Sequence, residues 1–338
     1  MLELEKAWSW REERGLIEEL GSLRVFNGSG EGEGAGALSH IAIDRFVERD
    51  SSKAHFWVTE WEGAKGETPS ALADSIARFL AQKGASSVVA LLRPGKGVPA
   101  EPRVILGQPP EGKFIAREGK TFFLIRLLGA KHPGLFLDHY PLREWLRARA
   151  RGLTVLNTFS YTGSLSVASG LGGAAHVTTL DLSSPTIAWA EENWKAHGLP
   201  SESARFISGD YFEWLPRLRR EGKRFDLVLL DPPSFSRGKA PGSTFSTSKD
   251  LRKLHSLAFG VLKPDSFLVT SINSANVSWA DYGNDVMTAA RDAGVELQIL
   301  SRIDLPDTFP TSMGREAQRY LKGWILRISS GSGASNTR

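Results

Sequence analysis

Four stretches carry residues able to bind or act on a ligand, and each directly follows an apolar run. After Thr154-Val-Leu-Asn-Thr158 come Phe159, Ser160, Tyr161, Thr162 and Gly163. Gly163 lets the backbone pass close to a ligand, and a helix starting near Ser164 offers unpaired NH groups and a positive dipole end to an anionic group. The next run, His176-Val-Thr-Thr-Leu-Asp181, closes on an acid placed to accept hydrogen bonds from ribose hydroxyls. Asp210 follows a third run and Asp231-Pro-Pro-Ser-Phe235 a fourth. Two prolines remove backbone donors from that last turn and stiffen it, holding an aspartate and an aromatic over a pocket mouth. A strand, a turn, a helix and an acid also make up an ordinary βαβ crossover, and Asp231-Pro-Pro also suits a plain strand terminator. Taken together, the four describe a pocket for adenosine with a cationic or zwitterionic extension.

The elements that must position these residues alternate along the C-terminal half. Strands are expected over Thr154–Thr158, His176–Asp181, Ala204–Ile207, Phe225–Asp231, Ser266–Ser271 and Val295–Arg302, with helices from near Ser164, Pro185, Tyr211, Thr247 and Ala280. Such alternation builds a parallel sheet with helices on both faces, whose ligands bind outside the carboxyl ends of the strands. Tyr320-Leu-Lys-Gly-Trp-Ile-Leu-Arg327 follows the sixth strand with no helix evident between them, so this seventh strand should pair antiparallel. Residues 329–338 are small and polar and read as a disordered tail.

The first half reads as a smaller α+β domain ending near Gly129. Leu2–Leu20 has helical spacing with Trp8 and Trp10. Asn27–Gly36 reads as a flexible loop; its Gly-x-Gly spacing is no phosphate loop, because Glu31 and Glu33 would repel phosphate and no helix follows. Ile41–Val47 and His55–Trp61 form a hairpin, Thr68-Pro69 opens a helix to about Gln82, and Ser87–Arg93 and Phe122–Arg126 are strands separated by a Pro/Gly-rich connection, Pro94–Gly112. Phe56, Trp57 and Trp61 are read as core or edge residues before base-stacking ones. A helix then runs from Gly134-Leu-Phe-Leu-Asp-His-Tyr140 to Arg151, with Asp138 near its start and arginines near its end, as the dipole favours.

Composition narrows the chemistry. At 338 residues the chain holds one large or two ordinary domains, and 41% hydrophobic with 24% charged residues is a globular balance. No apolar run approaches the roughly 18 residues of a membrane span, and Met1-Leu-Glu-Leu-Glu-Lys6 is charged where a signal peptide is apolar, so a cytoplasmic protein without a membrane partner is expected. With no cysteine there is no disulfide, thiolate metal site or thiolate nucleophile. Seven histidines show no ligand spacing, so no metal is expected. A net charge of +4 suits a polyanionic partner or a mixed-charge surface equally.

Asn157-Thr-Phe-Ser-Tyr-Thr-Gly-Ser164, Gly170-Leu-Gly-Gly-Ala174, Thr179-Leu-Asp-Leu-Ser183, Trp189-Ala-Glu-Glu-Asn-Trp194 and Asp231-Pro-Pro-Ser-Phe-Ser-Arg237 resemble S-adenosyl-L-methionine-dependent methyltransferases that modify large-subunit ribosomal RNA. The nearest likeness is to the guanine-N7 methyltransferase that forms the C-terminal half of a fused bacterial enzyme, and it runs from about Leu38 to Ile328. It implies a class I methyltransferase, Rossmann-like, over residues 130–328, with residues 1–129 contacting the RNA. It also implies 23S rRNA, or a ribosomal assembly intermediate, as the RNA partner. By the resemblance, Phe159–Gly163 hold the methionine part of the cofactor, Asp181 with Leu182 and Ser183 the ribose, and Asp210 with Tyr211 the adenine end. Asp231 lies near the methyl group and the target base; an amine target would use it as acceptor aided by the Pro232 carbonyl, and in either case Phe235 would stack on the flipped base. Asp138 and His139 cap the cofactor side. Tyr140 departs from the pattern, where related enzymes tend to have Arg, and the guanine-N2 methyltransferase and RNA-binding regions of the fused enzyme have no counterpart.

Phe235–Ser248, with Arg237 and Lys239, and Lys249 beyond it, suits a lid closing over a base and touching phosphates, or a solvated loop. Pyrimidine C5 methylation by way of an enzyme thiolate is excluded by the lack of cysteine. Guanine N7 has an in-plane lone pair and loses no proton; an exocyclic amine, N2 of guanine or N6 of adenine, is the alternative, since Asp231-Pro-Pro-Ser-Phe235 is one residue longer than the Asp/Asn-Pro-Pro-aromatic of amine methyltransferases. A non-catalytic RNA-binding protein of the same fold is a third reading. A nicotinamide dehydrogenase wants Gly-x-Gly-x-x-Gly, and Ser160–Leu165 supplies one glycine.

Overall fold

The structure is a computed structural model that describes residues 1–61, 69–93, 101–237, 244–274, 277–313 and 319–330. The chain divides into two compact units, Met1–Tyr140 with Leu305–Gln318, and Pro141–Asp304 with Arg319–Arg338. The division after Tyr140, with a later segment joining the first unit, differs from the boundary expected near Gly129.

In the first unit the expected N-terminal helix is two, α1 (Leu2–Glu12) and α2 (Leu16–Leu20), because Gly15 takes a left-handed conformation between them. The sheet has the order β5 (Arg103–Gly107), β4 (Ala85–Arg93), β3 (Ala54–Trp61), β2 (Ile41–Glu48), β6 (Phe114–Glu118), β7 (Thr121–Ile125), with β1 (Leu23–Asn27) on β2. The hairpin of β2 and β3 is antiparallel, and α3 (Pro69–Gln82) leads to β4, which lies parallel to β3. The stretch read as a bare connection carries β5, and β6 pairs with β7. Alternating burial was not legible in β5 because it is an edge strand with neither face fully covered.

Trp8, Phe26, Phe56, Phe79 and Leu80 form the core of this unit, and Trp57 is also buried. Asn27–Gly36 is not open loop: it holds two short 3-10 turns, and Glu31 accepts from the fully buried Arg11 guanidinium at 2.7 Å. Burial lowers the Arg11 pKa, opposed by the Glu31 charge. The glutamate that argued against phosphate binding is a structural counter-ion.

From Pro141, the second residue of α4 (Tyr140–Arg149), the chain is in the second unit, which then alternates: β8 (Thr154–Thr158), α5 (Ser164–Leu171), β9 (His176–Asp181), α6 (Ser184–Ala196), β10 (Ala204–Ser208), α7 (Tyr211–Arg220) and β11 (Phe225–Leu230). A short antiparallel pair, β12 (Phe235–Arg237) with β13 (Thr244–Ser246), occupies the stretch expected to be a lid. There follow α8 (Thr247–Phe259), β14 (Leu262–Asn273), α9 (Trp279–Ala293), β15 (Val295–Ile303) and β16 (Leu321–Ser330). The sheet order is β10-β9-β8-β11-β14-β16-β15, with β16 antiparallel to both of its neighbours. The last strand therefore inserts inside the sheet, and it reaches Ser330, past the point where the tail was expected to begin; 331–338 lie outside the described residues.

Leu156, Val228, Leu230, Leu268 and Leu326 bury one face of this sheet against α7, α8 and α9. Inside that core His255 is fully buried: its Nδ1 lies 2.7 Å from the Leu251 carbonyl and its Nε2 2.8 Å from Thr270 Oγ1, which in turn meets the Tyr282 hydroxyl at 2.6 Å. Burial pushes the imidazole down to about 4, so it is neutral, donating from Nδ1 and accepting at Nε2. Strands β8 and β11 are neighbours although the chain leaves β8 toward β9. This is the point where the order reverses and where such sheets bind ligands.

Candidate functional site

The turn after β8 is held in an uncommon conformation. Phe159 (φ 53°) and Tyr161 (φ 48°) are left-handed without being glycine, and Gly163 follows at φ 76°. Non-glycine residues persist there only when their surroundings impose it. The Ser160 NH donates to Leu180 O at 3.2 Å, the Gly163 NH to Ser160 O at 2.9 Å, and the Asn193 amide to Thr162 O at 2.9 Å. Asp181 completes the restraint: one carboxylate oxygen accepts from the Tyr161 NH at 2.9 Å, the other from the Ser183 NH at 2.9 Å and the Thr186 hydroxyl at 3.1 Å. Ser183 caps α6. The acid read as a ribose acceptor thus also ties β9 and α6 to the turn, and a carboxylate keeps acceptor capacity for a ligand beyond these bonds.

Gly163 has a packing cause beside the ligand clearance read in the sequence. A Cβ there would stand 2.7 Å from Ala190 Cβ on α6, so helix packing and positive φ demand glycine as well.

Ser160 is buried, and among the described residues its hydroxyl has no hydrogen-bond partner. A buried hydroxyl normally has one, so this group, set between the turn and the end of β9, suits a polar ligand group. The Tyr161 phenol is raised above its ordinary pKa by burial and then by the Asp181 charge, so it stays protonated.

Asp210 caps α7, accepting from the Phe212 NH at 2.8 Å. Tyr211, expected beside it at the adenine end, is a core residue: it is buried, its hydroxyl donates to Leu254 O at 2.7 Å and its ring stacks on Phe159 at 5.0 Å. Its contribution is to hold the Phe159 ring, and with it the turn. Leu182 offers its carbonyl to the Ser208 hydroxyl at 3.4 Å.

Across the switch point β11 ends at Leu230, and Asp231 accepts from the Ser271 hydroxyl of β14 at 2.6 Å. Pro232 is buried, and the Ser234 hydroxyl donates to Asn273 O. Lys322 of β16 donates to Ser274 O at 2.8 Å and, being largely buried, has its pKa lowered. The Asp231 turn is thus fastened to the end of β14 by two serines. Neither Ser271, Thr186 nor Asn193 was singled out in the sequence; Asn193 lies in a quoted motif, but nothing local marks its partner.

Asp138 belongs to the first unit, where it is buried with one oxygen 3.1 Å from His139 Nδ1. Phe235 and Arg237 lie on β12, Lys249 on α8, and Lys239 is outside the described residues. Among the described residues no helix is long and apolar enough to cross a membrane, and no group of three or more His, Asp or Glu could hold a metal.

Comparison with known proteins gives concordant findings. A family model described as S-adenosylmethionine-dependent methyltransferase matches residues 84–322. Ribosomal RNA large subunit methyltransferase K/L of Shewanella sp. (strain W3-18-1) is 40% identical over 161 residues, 48% of this chain and 22% of that protein. Ribosomal RNA large subunit methyltransferase I of Aeromonas salmonicida (strain A449) is 30% identical over 236 residues, 70% of this chain and 59% of that one. The chain thus spans less than two thirds of each of these relatives. Among solved structures, SMU.776 complexed with SAH superposes with a TM-score of 0.82 at 24% identity, covering 96% of this chain and 80% of that one. A SAM-dependent methyltransferase from Agrobacterium tumefaciens gives 0.62 at 22% identity, covering 91% and 89%. At these identities the superpositions speak for the fold.

Proposed function

The chain belongs to the S-adenosylmethionine-dependent methyltransferases, and from that premise we propose that it methylates a base of large-subunit ribosomal RNA, at guanine N7. The names of the relatives support the RNA. The observation that carries the chemistry is the pairing of Asp231 with Ser271 on one side of the switch point, opposite the Asp181-tied turn on the other.

When bound, S-adenosylmethionine supplies an electrophilic methyl group on a sulfonium. The Ser160 hydroxyl and the Phe159–Gly163 turn would hold its methionine end, Asp181 its ribose, and the Asp210 turn its adenine side. Asp231 is kept an acceptor by the Ser271 hydroxyl donating to it, and it takes a hydrogen bond from the guanine edge. N7 gives up no proton, so the chain's task is to align the base and exclude water. Phe235 stacks on the extruded base, while Arg237, Lys239 and Lys249 meet its phosphates. The first unit contacts the remainder of the RNA, and the protein works where that RNA is, in the cytoplasm.

The test is labelled-methyl transfer to unmodified large-subunit RNA, then borohydride and aniline, which cleave at 7-methylguanosine. Cleavage at one labelled position is expected. Label recovered as N2-methylguanosine or N6-methyladenosine without cleavage would replace N7 by an amine target, and no incorporation into RNA would remove the reading.

A further inference from the structure

At the edge of the second unit's sheet opposite Ser160–Gly163, the starts of β8, β9, β10 and β11 enclose a cavity of about 330 Å³. Strands of five to six residues put it roughly 15–20 Å from the turn. Arg205, Lys223 and Arg224 line it together with His176, over a floor that includes Thr178 and Phe225.

The carboxylate near these cations, Glu221, is shared among them: its pKa is lowered by the hydrogen bond from Arg217 and by the Arg217, Arg205 and Lys223 charges. Lys223 and Arg224 make no ion pair among the described residues; the Arg224 guanidinium rests on the carbonyls of Lys223 at 2.9 Å and Arg219 at 3.5 Å. Arg205 meets Glu221 only at 3.8 Å, and that carboxylate is bonded at 2.8 Å to Arg217. The nearby Asp226 is taken up by Lys263 and by the hydroxyl and NH of Thr154. His176 reports the resulting field: its pKa is lowered first by burial, then by the Lys223 and Arg205 charges.

The backbone fixes this arrangement. The Gly222 NH bonds Arg219 O at 3.1 Å and the Lys223 NH bonds Leu218 O at 2.9 Å, with Gly222 at φ 70°, which is the Schellman closure of α7. Those bonds occupy helix-end carbonyls that would repel an anion, and they aim Lys223 and Arg224 at the cavity from a turn of little freedom.

We infer that this cavity binds a phosphate ester, as a second anion site separate from the methyl-transfer pocket. Arginines and a lysine converging on a concave site with an imidazole match a phosphate group carrying two or more acceptor oxygens. The same chemistry comes from an RNA phosphodiester or a free mononucleotide.

The test follows the His176 imidazole resonances of the full chain, assigned with His176→Gln, at neutral pH on adding inorganic phosphate, AMP or a short single-stranded RNA. A saturable shift is expected. Lys223→Glu with Arg224→Glu should abolish it while the affinity for S-adenosylhomocysteine and the melting temperature stay unchanged. If RNA saturates the shift and the double variant flattens log affinity against log salt by roughly 1.4, about 0.7 for each contact, RNA is the source. Phosphate and AMP acting alone make it a free nucleotide. Absence of a shift with all three, or an undiminished shift in the double variant, would overturn the site.

Discussion

Replacing Gly163 by alanine tests the physical account of the cofactor turn most directly. Two penalties are expected. The residue sits at φ 76°, where a side chain costs about 1–2 kcal/mol. The new methyl would also lie 2.7 Å from Ala190 Cβ, well inside the roughly 3.5–4 Å of a carbon contact, and overpacking of this kind adds about 1–3 kcal/mol. Gly163→Ala should therefore lose about 3 kcal/mol in urea denaturation followed by tryptophan fluorescence. It should also weaken S-adenosylhomocysteine binding in calorimetry, because relief of the clash must move α6 or the turn. Ala190→Gly alone removes only the opposing methyl and costs about 1 kcal/mol of helix propensity. In the double variant the 2.7 Å contact is gone, leaving the Ala190 Cα at 3.2 Å and the backbone strain. The two substitutions should then be less damaging together than separately, by about 1–2 kcal/mol. Strict additivity would refute the overlap as the cause, and a Gly163→Ala variant of unchanged stability would refute the left-handed turn as well.

Asp181→Ala releases the Tyr161 and Ser183 amides along with the ribose acceptor, so it should lower stability by about 2–3 kcal/mol as well as abolish cofactor binding; calorimetry beside a denaturation curve separates the two, and full stability would sink the tie between turn and helix. His255, held near 4 against an ordinary 6.5, leaves the unfolded chain binding the extra proton between those values. The stability it contributes is therefore complete above about pH 6.5 and is lost as pH falls toward 4, by roughly 3 kcal/mol. Denaturation midpoints of wild type and His255→Leu across that range should converge as pH drops, and parallel curves would count against a neutral buried imidazole. Arg237→Ala with Lys239→Ala should leave cofactor affinity alone but reduce the salt slope of RNA binding by roughly 0.7–0.9 per lost contact; an unchanged slope makes that stretch bystander surface.

The order of strands and helices in the second unit was legible because each strand is a short apolar run closed by a polar or glycine-bearing turn, signals that are local in sequence. The same locality marked Asp181, Asp210 and Asp231, since strand ends are where a parallel sheet exposes functional groups. What local sequence could not carry was who meets whom. The resemblance set Tyr211 with Asp210 at the adenine end, and nothing local in the sequence showed that its ring stacks on Phe159 and its hydroxyl donates to Leu254 O. Gly163 was read as clearance for a ligand, and the fold adds crowding by Ala190, on the next helix. Ser271 reached Asp231 only because β14 docks beside β11, a pairing between segments about forty residues apart. The basic cavity shows the same division. Arg205, His176 and Lys223 belong to different runs, each plain in isolation, and the parallel sheet brings their strand starts to one edge. Sequence thus determined the elements and the polar strand ends, because those depend on periodicity and turn chemistry. Tertiary structure decided which side chains share a bond or a cavity, because that depends on strand order and helix rotation, which neighbouring residues do not encode.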